Sequence, residues 1–177
     1  LDYKMKEQTS ALKEKREVEL TYITGRGNWY FSSWKGDIEK SGGIAVNIGI
    51  HLFDLLIWLF GDVQESRVHL IRPDKMAGYL ELEQAVVRWY LSIDFNDLPD
   101  NSKGTFRSIK IDDLELEFSD GFTDLHTVIY KKIIGGNGMG LDTARPSIEL
   151  VHRIMHQEVN PDSEALHPKA FKLLRKI

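Results

Sequence analysis

The amino-acid sequence predicts an α+β domain with an open, mainly antiparallel sheet and helices on one face of it. A nearly continuous apolar run from Ile44 to Phe60 has the length of a helix and ends at Gly61. Several short stretches follow in which apolar and polar residues alternate, and the end of the chain returns to helical periodicity. Strands that follow one another in hairpin-like runs, flanked by helices, are typical of this fold class.

Composition sets the first limits on function. The 177 residues, 42% hydrophobic and 28% charged, are enough for a domain with its own core. The absence of cysteine excludes disulfides, thiolate metal sites and a cysteine nucleophile, and it fits a reducing compartment, so we expect a cytoplasmic protein. A net charge of −4 with both signs interspersed argues against a dedicated nucleic-acid binder.

The first half of the chain predicts a helix, a strand and a second helix. Residues 4–16 are mostly strong helix formers and predict a helical lead-in over residues 1–16. Val18, Leu20 and Tyr22 then alternate with polar residues, as in a strand. The apolar run at 44–60 falls short of the ~20 apolar residues of a membrane span and contains polar residues. We therefore predict that it is a buried helix and expect no membrane partner.

The second half predicts strands and then helices. Strands are predicted around residues 68–70, 80–83 and 85–95, with Val68 and Leu70 on one face, and a hairpin at 109–118 turns at Asp112-Asp113. Helices are predicted at 123–133 and around the apolar stripe Ile148, Val151, Ile154 and Met155. We expect residues 17–159 to form the domain and residues 160–177 to be a docked helix or a frayed tail.

The far face of the predicted sheet is mixed in character. It would carry Glu81, Arg88 and Tyr90. Such a face either meets water or pairs with a second copy of the chain.

The predicted helix at 44–60 carries a polar stripe. Each residue turns about 100° around a helix, so Asn47, His51 and Asp54 share one side, with Trp58 below them. Buried polar groups need partners, and these three could satisfy one another and nearby backbone as structural residues. Alternatively, a histidine held by a carboxylate could act as a general base near neutral pH.

Other motifs each allow a structural and a functional interpretation. A metal site would need His51, Asp54 and a distant His69 or His126, and no spacing demands it, so we predict no metal ligands. Ser41-Gly42-Gly43 could bind an anion, but a tight turn is the simpler interpretation. The glycine-rich residues 135–140 follow a helix rather than a strand, which indicates an interhelical turn. An aromatic cluster is formed by Trp29, Tyr30, Phe31 and Trp34. We expect it to pack in the core. Alternatively, because Arg26 and Lys35 are nearby in the sequence, it could line a pocket for a sugar or an anionic group.

One segment resembles a known signature. Residues 41–54 (Ser-Gly-Gly-Ile-Ala-Val-Asn-Ile-Gly-Ile-His-Leu-Phe-Asp) resemble the signature sequence of the glucose–fructose oxidoreductase/inositol dehydrogenase superfamily. That signature consists of glycines, an acidic or amide residue, another glycine, and then a histidine and an aspartate. Segments 26–37, 77–85 and 118–126 resemble one branch, the bacterial UDP-N-acetylglucosaminuronate 3-dehydrogenases of surface-polysaccharide biosynthesis. The likeness covers roughly residues 1–155.

The resemblance implies an enzyme with two domains. In that family a Rossmann domain binds NAD, and an α/β domain supplies the substrate pocket and the oligomer interface. His51 matches the histidine that takes part in proton transfer from the sugar C3 hydroxyl, and Asn47 matches a substrate-binding position. Further substrate-binding candidates near the sugar or its carboxylate are Arg26, Tyr30, Lys35 and His126.

The departures from the family pattern define what this chain is expected to be. No Gly-x-Gly-x-x-Gly follows a strand, and Glu39-Lys40 is followed by Ser41 rather than by the proline of the Glu-Lys-Pro motif. We therefore expect this chain to be the carboxy-terminal half of such an enzyme. We expect it to have no cofactor-binding residues and to be inactive alone. Its expected partners are a nucleotide-sugar substrate, its own Rossmann domain and a second copy of the chain. The alternative is a stand-alone, non-catalytic module for oligomerisation through the sheet or for sugar binding.

Overall fold

A computed structural model describes residues 14–100, 102–119, 134, 140–161 and 165–175. The predicted helix at 123–133, the loop at 135–139 and His126 lie outside these residues, as does nearly all of the predicted lead-in. The strands are β1 (Arg16–Thr24), β2 (Val63–Ile71), β3 (Lys75–Leu82), β4 (Ala85–Ser92), β5 (Thr105–Ile111) and β6 (Leu114–Glu117). The helices are α1 (Trp29–Ser32), α2 (Ile38–Ser41), α3 (Ile50–Phe60), α4 (Leu141–His156) and α5 (Pro168–Leu174).

The six strands form one sheet in the order β2-β3-β4-β1-β5-β6. Only β1 and β4 pair in parallel, and the other four pairings are antiparallel. The predicted α+β class with a mainly antiparallel sheet is confirmed. The hairpin at Asp112-Asp113 is also confirmed, and Asp112 adopts the left-handed conformation (φ 52°) that such a tight turn requires.

Helices α3 and α4 cover one face of the sheet. The core there joins Val18, Leu20 and Trp89 of the strands to the inward side of α3, where the Phe53 ring meets the Trp89 ring edge-on at 5.3 Å. A Cβ at Gly49 would come within 2.8 Å of Leu91, so glycine lets the helix approach the sheet. The segment Ile38–Phe60 could span a membrane by length and composition, but more than half of it is buried inside this domain.

The prediction that Val68 and Leu70 share a face is wrong. The pairing of β2 with β3 shifts register between these residues, which is the signature of a β-bulge. The extra residue breaks the two-residue alternation, so Val68 packs in the core under α3 and α4 while Leu70 packs on the opposite side. His69, between them, is fully buried.

The end of the chain docks on the far face of the sheet. Ala170 of α5 packs there in a second cluster with Ile23, Leu70 and Tyr90. The Tyr90 ring, expected on an open face, is therefore buried and stacks on the His167 ring at 5.5 Å. Of the two possibilities for residues 160–177, a docked helix is the one observed over the described part.

A buried histidine anchors α5. His167 Nδ1 accepts a hydrogen bond from the Lys169 backbone N–H at 3.1 Å, which leaves Nε2–H to donate to Thr21 Oγ1 at 3.1 Å. Burial, with the nearby charges of Lys169 and Arg88, lowers the pKa of His167 to about 3. The neutral ring therefore caps the helix and ties it to β1.

We expect the stability of the chain to fall as the pH drops from about 6.5 towards 3. In that window the unfolded chain protonates His167, whose ordinary pKa is about 6.5, while the folded chain does not. The contribution of His167 to the free energy of unfolding is fully present above pH ~6.5. Below that pH, the free energy of unfolding falls by at most about 1.4 kcal/mol per pH unit on account of this group. Urea denaturation across this range measures it. His167→Asn keeps a capping oxygen but does not titrate, so its slope should be shallower; equal slopes would contradict the role of His167.

Candidate active site

The candidate site lies where the parallel strands β1 and β4 end. Because carboxyl ends of parallel strands meet at one edge of a sheet, the loop with Arg26 after β1 lies beside the loop after β4. The Arg26 backbone N–H donates to the Ile93 carbonyl at 2.9 Å, which fixes the two loops together. Segment 29–49 then runs from α1 to the start of α3.

Ser41-Gly42-Gly43 forms the tight turn that precedes this helix. Gly42 and Gly43 have φ values of 71° and 66°, which favour glycine. The Gly42 N–H bonds to the Ile38 carbonyl at 2.9 Å, and the Gly43 N–H bonds to Ser41 Oγ at 3.0 Å. Since both N–H groups already have partners within the turn, the structural interpretation is confirmed over the anion-binding one.

Asn47 lies in a π-helical turn, Ala45–Gly49, that leads directly into α3. Its amide nitrogen donates to the Gly43 carbonyl oxygen at 2.8 Å and to the Tyr30 hydroxyl at 3.3 Å. π-helical turns are rare and occur frequently at functional sites. The Asn47 side chain is half-buried: its amide nitrogen is bonded within the domain, and part of the side chain remains accessible from outside.

His51, Asp54 and Trp58 lie on the exposed side of α3. The predicted shared stripe is therefore present, but the expectation that it is buried is wrong, because only the opposite side of α3 faces the sheet. The partners of the Asn47 amide are Gly43 and Tyr30, so Asn47 is not satisfied by its neighbours along the stripe. Within the described part of the chain, the His51 side chain is therefore exposed.

The aromatic cluster is split by the structure. Tyr30 is 3% exposed, whereas Trp29, Phe31 and Trp34 are each at least half exposed. The core interpretation is correct for Tyr30 and wrong for the other three. Burial raises the pKa of Tyr30, partly offset by the hydrogen bond from Asn47 and the charge of Arg26. Arg26 therefore lies close enough to act on the Tyr30 hydroxyl.

Arg26 and Lys35 line different concavities. An open groove of about 460 Å³ is lined by Arg26, by the exposed rings of Phe31 and Phe95, by Asn96, and by Asp74 and Asp94, whose carboxylates pair with Lys75. That volume is within the range of small-molecule sites. Lys35 lines, with Tyr30, a cavity of only about 30 Å³, and its ammonium group lies 5.9 Å from the centre of the Trp34 ring.

The structure therefore joins Asn47 to Tyr30 by a hydrogen bond, and it places His51 one turn beyond Asn47 on the exposed side of α3. Arg26 lines the separate open groove. Phe95 and Asn96 were missed by sequence reasoning, because they follow a strand 70 residues after Arg26 and carry no motif of their own. The one feature of the sequence that could have indicated Phe95 and Asn96 is their position at the end of the predicted strand 85–95, where a loop begins.

The alternative metal site gains no support from the geometry. His69 is buried in β2, and its two ring nitrogens have no hydrogen-bond partner. Burial and the charge of Arg67 lower the pKa of His69. Within the described ranges, no three His, Asp or Glu side chains come together as a possible ligand set.

Comparison with known proteins assigns the fold to a family. Residues 11–136 match the model of the oxidoreductase family, C-terminal alpha/beta domain. The chain belongs to this family. The match covers well over half of the chain, and the observed mixed sheet with its covering helices is the domain that the family description names.

Solved structures of this family include two of a similar protein. The WlbA (WbpB) dehydrogenase of Thermus thermophilus, in complex with NAD and alpha-ketoglutarate, is 49% identical over 94% of this chain, with a TM-score of 0.88. The same enzyme in complex with NAD and UDP-GlcNAcA gives 48% identity over 94% of this chain and a TM-score of 0.87. In both cases the matched region is 55% of the T. thermophilus chain, so this chain spans about half the length of those relatives.

A more distant structure shows the fold alone. The WlbA dehydrogenase of Chromobacterium violaceum, in complex with NADH and UDP-GlcNAcA, is 19% identical over 85% of this chain and 55% of its own, with a TM-score of 0.59. The resemblance to the glucose–fructose oxidoreductase/inositol dehydrogenase superfamily, including its dehydrogenases that act on UDP sugars, is confirmed.

Proposed function

We propose that this chain is the substrate-binding domain of an NAD-dependent dehydrogenase that oxidises the C3 hydroxyl of UDP-N-acetylglucosaminuronate (UDP-GlcNAcA). The observation that carries the proposal is the 48% identity to an enzyme crystallised with NAD and UDP-GlcNAcA, over 94% of this chain. The geometry agrees with it: the signature residue His51 is exposed and Asn47 is half-buried on the 45–60 helical segment, and Arg26 lines an open groove.

His51 is the catalytic residue in this proposal. Oxidation of an alcohol removes a hydride from carbon and a proton from oxygen. NAD, held by a nucleotide-binding domain, would supply the acceptor for the hydride. His51, exposed on α3, accepts the hydroxyl proton as general base. Asn47 cannot take a proton, so it orients the sugar by hydrogen bonding.

Arg26 is the anion-binding residue in this proposal. UDP-GlcNAcA carries a diphosphate and a carboxylate, and an arginine guanidinium binds such groups with paired hydrogen bonds. Arg26 lines the groove of about 460 Å³ together with the exposed rings of Phe31 and Phe95, which are flat apolar surfaces suited to a sugar or base. Lys35, on the small separate cavity, is a weaker candidate for contact with the substrate.

The cofactor fits a second domain rather than this one. NAD binding of the Rossmann type uses a glycine-rich turn between a strand and a helix. The described turn at Ser41-Gly42-Gly43 follows a helix and uses its own N–H groups internally. We infer that a nucleotide-binding domain covers the exposed side of α3 and places the nicotinamide near His51. The exposed Trp58 on the same side fits such a covered surface.

The remaining partners follow from the far face of the sheet. Beyond α5 this face carries ion pairs such as Arg88 with Glu19 (3.3 Å) and Arg67 with Glu65 (2.6 Å). We propose that this polar face is where a second copy of the chain docks, because a two-fold contact pairs the same surface of both copies and a face with both signs of charge can complement itself. The location proposed for the enzyme is the cytoplasm, where NAD and nucleotide sugars are available.

The test is NAD reduction by the chain joined to a nucleotide-binding domain, from its own reading frame or from the T. thermophilus enzyme. We expect NADH to form with UDP-GlcNAcA and to form much more slowly with UDP-N-acetylglucosamine, which lacks the carboxylate that Arg26 would bind. The chain alone should form none. A joined protein that binds NAD but forms no NADH from UDP-GlcNAcA would refute the proposal.

A further inference from the structure

The orientation of the Asn47 side chain is fixed by the group behind it. A backbone carbonyl oxygen can only accept a hydrogen bond, so the Asn47 atom that lies 2.8 Å from the Gly43 oxygen must be the amide nitrogen Nδ2. The nitrogen and oxygen of this amide therefore cannot be exchanged without placing two acceptors against each other.

The second hydrogen of the same amide is also used. Nδ2 lies 3.3 Å from the Tyr30 hydroxyl oxygen and donates to it. An amide nitrogen has two hydrogens, so both donors of Asn47 are occupied by the protein and only its oxygen, Oδ1, is left to bind a ligand. Asn47 can therefore accept a hydrogen bond from a substrate but cannot donate one.

We propose that Tyr30 is a positioning residue that acts through Asn47, holding the amide so that Oδ1 accepts a hydrogen bond from a hydroxyl group of the sugar. This inference rests on the proposed function. It changes the role expected for Tyr30, which resemblance had placed among residues near the sugar itself. It also defines the substrate group at Asn47 as a donor, which excludes the carboxylate and the phosphates.

The burial of the two side chains supports this division of roles. Tyr30 is 3% exposed, and its ring is enclosed by edge-on contacts with Trp29 (centroids 6.0 Å apart) and Phe31 (5.6 Å). Asn47 is half-buried and reaches the surface. A ligand on the exposed side of α3 can therefore meet Asn47 directly, while the buried Tyr30 ring lies behind it.

The support for Asn47 is itself held in place. Ser41 Oγ donates to the Lys35 carbonyl at 2.9 Å and accepts from the Gly43 N–H at 3.0 Å, so the peptide between Gly42 and Gly43, which directly precedes the Gly43 carbonyl, is held in place. Tyr30 is anchored by its backbone N–H on the Gly27 carbonyl at 2.9 Å. Both acceptors of the Asn47 amide are therefore in fixed positions, which is the preorganisation that precise substrate orientation requires.

A double-mutant cycle on the joined protein tests the inference. Tyr30→Phe removes only the hydroxyl, and we expect kcat/KM for UDP-GlcNAcA to fall by roughly tenfold, the loss typical of one positioning hydrogen bond. We expect Asn47→Ala to lower kcat/KM further. In the Asn47→Ala background, Tyr30→Phe should then have no additional effect, because the group through which Tyr30 acts is gone.

The outcomes separate the possible failures. If Tyr30→Phe leaves kcat/KM unchanged, or if its effect multiplies with that of Asn47→Ala, Tyr30 does not act through Asn47 and the inference is wrong, while turnover by the unmutated protein still supports the proposed function. A purely structural role would lower the melting temperature of Tyr30→Phe and persist in the Asn47→Ala background. No turnover by the unmutated joined protein would refute the proposed function and, with it, the substrate group assigned here.

A second measurement tests the contact without turnover. In the chain alone, the Asn47 side-chain NH₂ should give two NMR signals shifted by hydrogen bonding, and Tyr30→Phe should move one of them towards the position of a free amide. Ser32→Ala is the matched control, because Ser32 Oγ bonds to the carbonyl of Asn28, the residue before α1, and its loss should leave both signals in place. Signals of Asn47 that do not respond to Tyr30→Phe would overturn the inference.

Discussion

Replacing His51 by asparagine in the protein that carries both domains is expected to lower kcat for UDP-GlcNAcA by roughly 10²–10⁴-fold, the usual contribution of a general base. The substitution removes the group that accepts the hydroxyl proton and keeps a polar side chain of similar size. Because His51 is exposed on the outer side of α3 and outside the core, the fold should tolerate it. Steady-state NADH formation measures the loss.

A second histidine supplies the control. His152 is exposed on α4, where its ring stacks on that of His156 at 4.3 Å, and the proposal gives it no role. His152→Asn should therefore keep kcat within about twofold of the unmutated protein. If His51→Asn retained near-full kcat, or if both variants lost activity equally, the role assigned to His51 would be wrong.

Replacing Lys75 by methionine is expected to destabilise the chain by about 3 kcal/mol, the lower end of the range for breaking a buried charge pair. The Lys75 side chain is 7% exposed, and its ammonium group lies 2.9 Å from Asp97, 3.0 Å from Asp94 and 3.2 Å from Asp74. Burial by itself would lower the pKa of Lys75, but hydrogen bonds to Asp97 and Asp94 raise it overall. Methionine would leave three neighbouring carboxylates without their shared cation.

The control is an ion pair at the surface. Lys40 bonds to Asp37 at 2.8 Å, but its side chain is 71% exposed, so Lys40→Met should change the stability by no more than about 0.5 kcal/mol. Urea denaturation at neutral pH compares the two variants. The loss in Lys75→Met should shrink at acid pH, because protonation of the carboxylates removes their repulsion. Equal effects of the two substitutions would show that the Lys75 cluster contributes no more than a surface pair.

The fold class was readable from the sequence because its signals are local. The alternation of Val18, Leu20 and Tyr22 and the glycine stop at Gly61 each depend on neighbouring residues, and both elements are present in the structure. The parallel pairing of β1 with β4 was not predicted, because β1 and β4 are separated by 60 residues and nothing local sets their order in the sheet.

The errors have distinct physical causes. The bulge in β2 moved Leu70 to the other side of the sheet, and no residue type in the sequence marks the position of that single extra residue. The burial of Tyr90 depends on α5, which returns from the end of the chain to cover it. Trp29 and Trp34 are 52% and 60% exposed, because hydrophobic character alone does not decide which side chains of a cluster reach the core.

The candidate site was predicted in part. The 41–54 signature identified Asn47 and His51 correctly as residues of one side of one helix. Neither spacing nor composition could show that the Asn47 amide is held by Gly43 and Tyr30, since that contact joins residues 17 apart through a turn with two left-handed glycines. The placement of Asn47 and His51 on one helical segment was therefore readable from the motif, whereas the hydrogen bonds that hold Asn47 needed the structure.

The most direct test of the central claim follows a label from the sugar to the cofactor. UDP-GlcNAcA carrying deuterium on C3 would be incubated with NAD and the joined protein, and the reduced nicotinamide analysed by mass spectrometry. The account predicts deuterium in the nicotinamide product of the unmutated protein, with formation strongly slowed in His51→Asn. Deuterium that stays on the sugar while NADH forms would contradict oxidation at C3 by the site on α3.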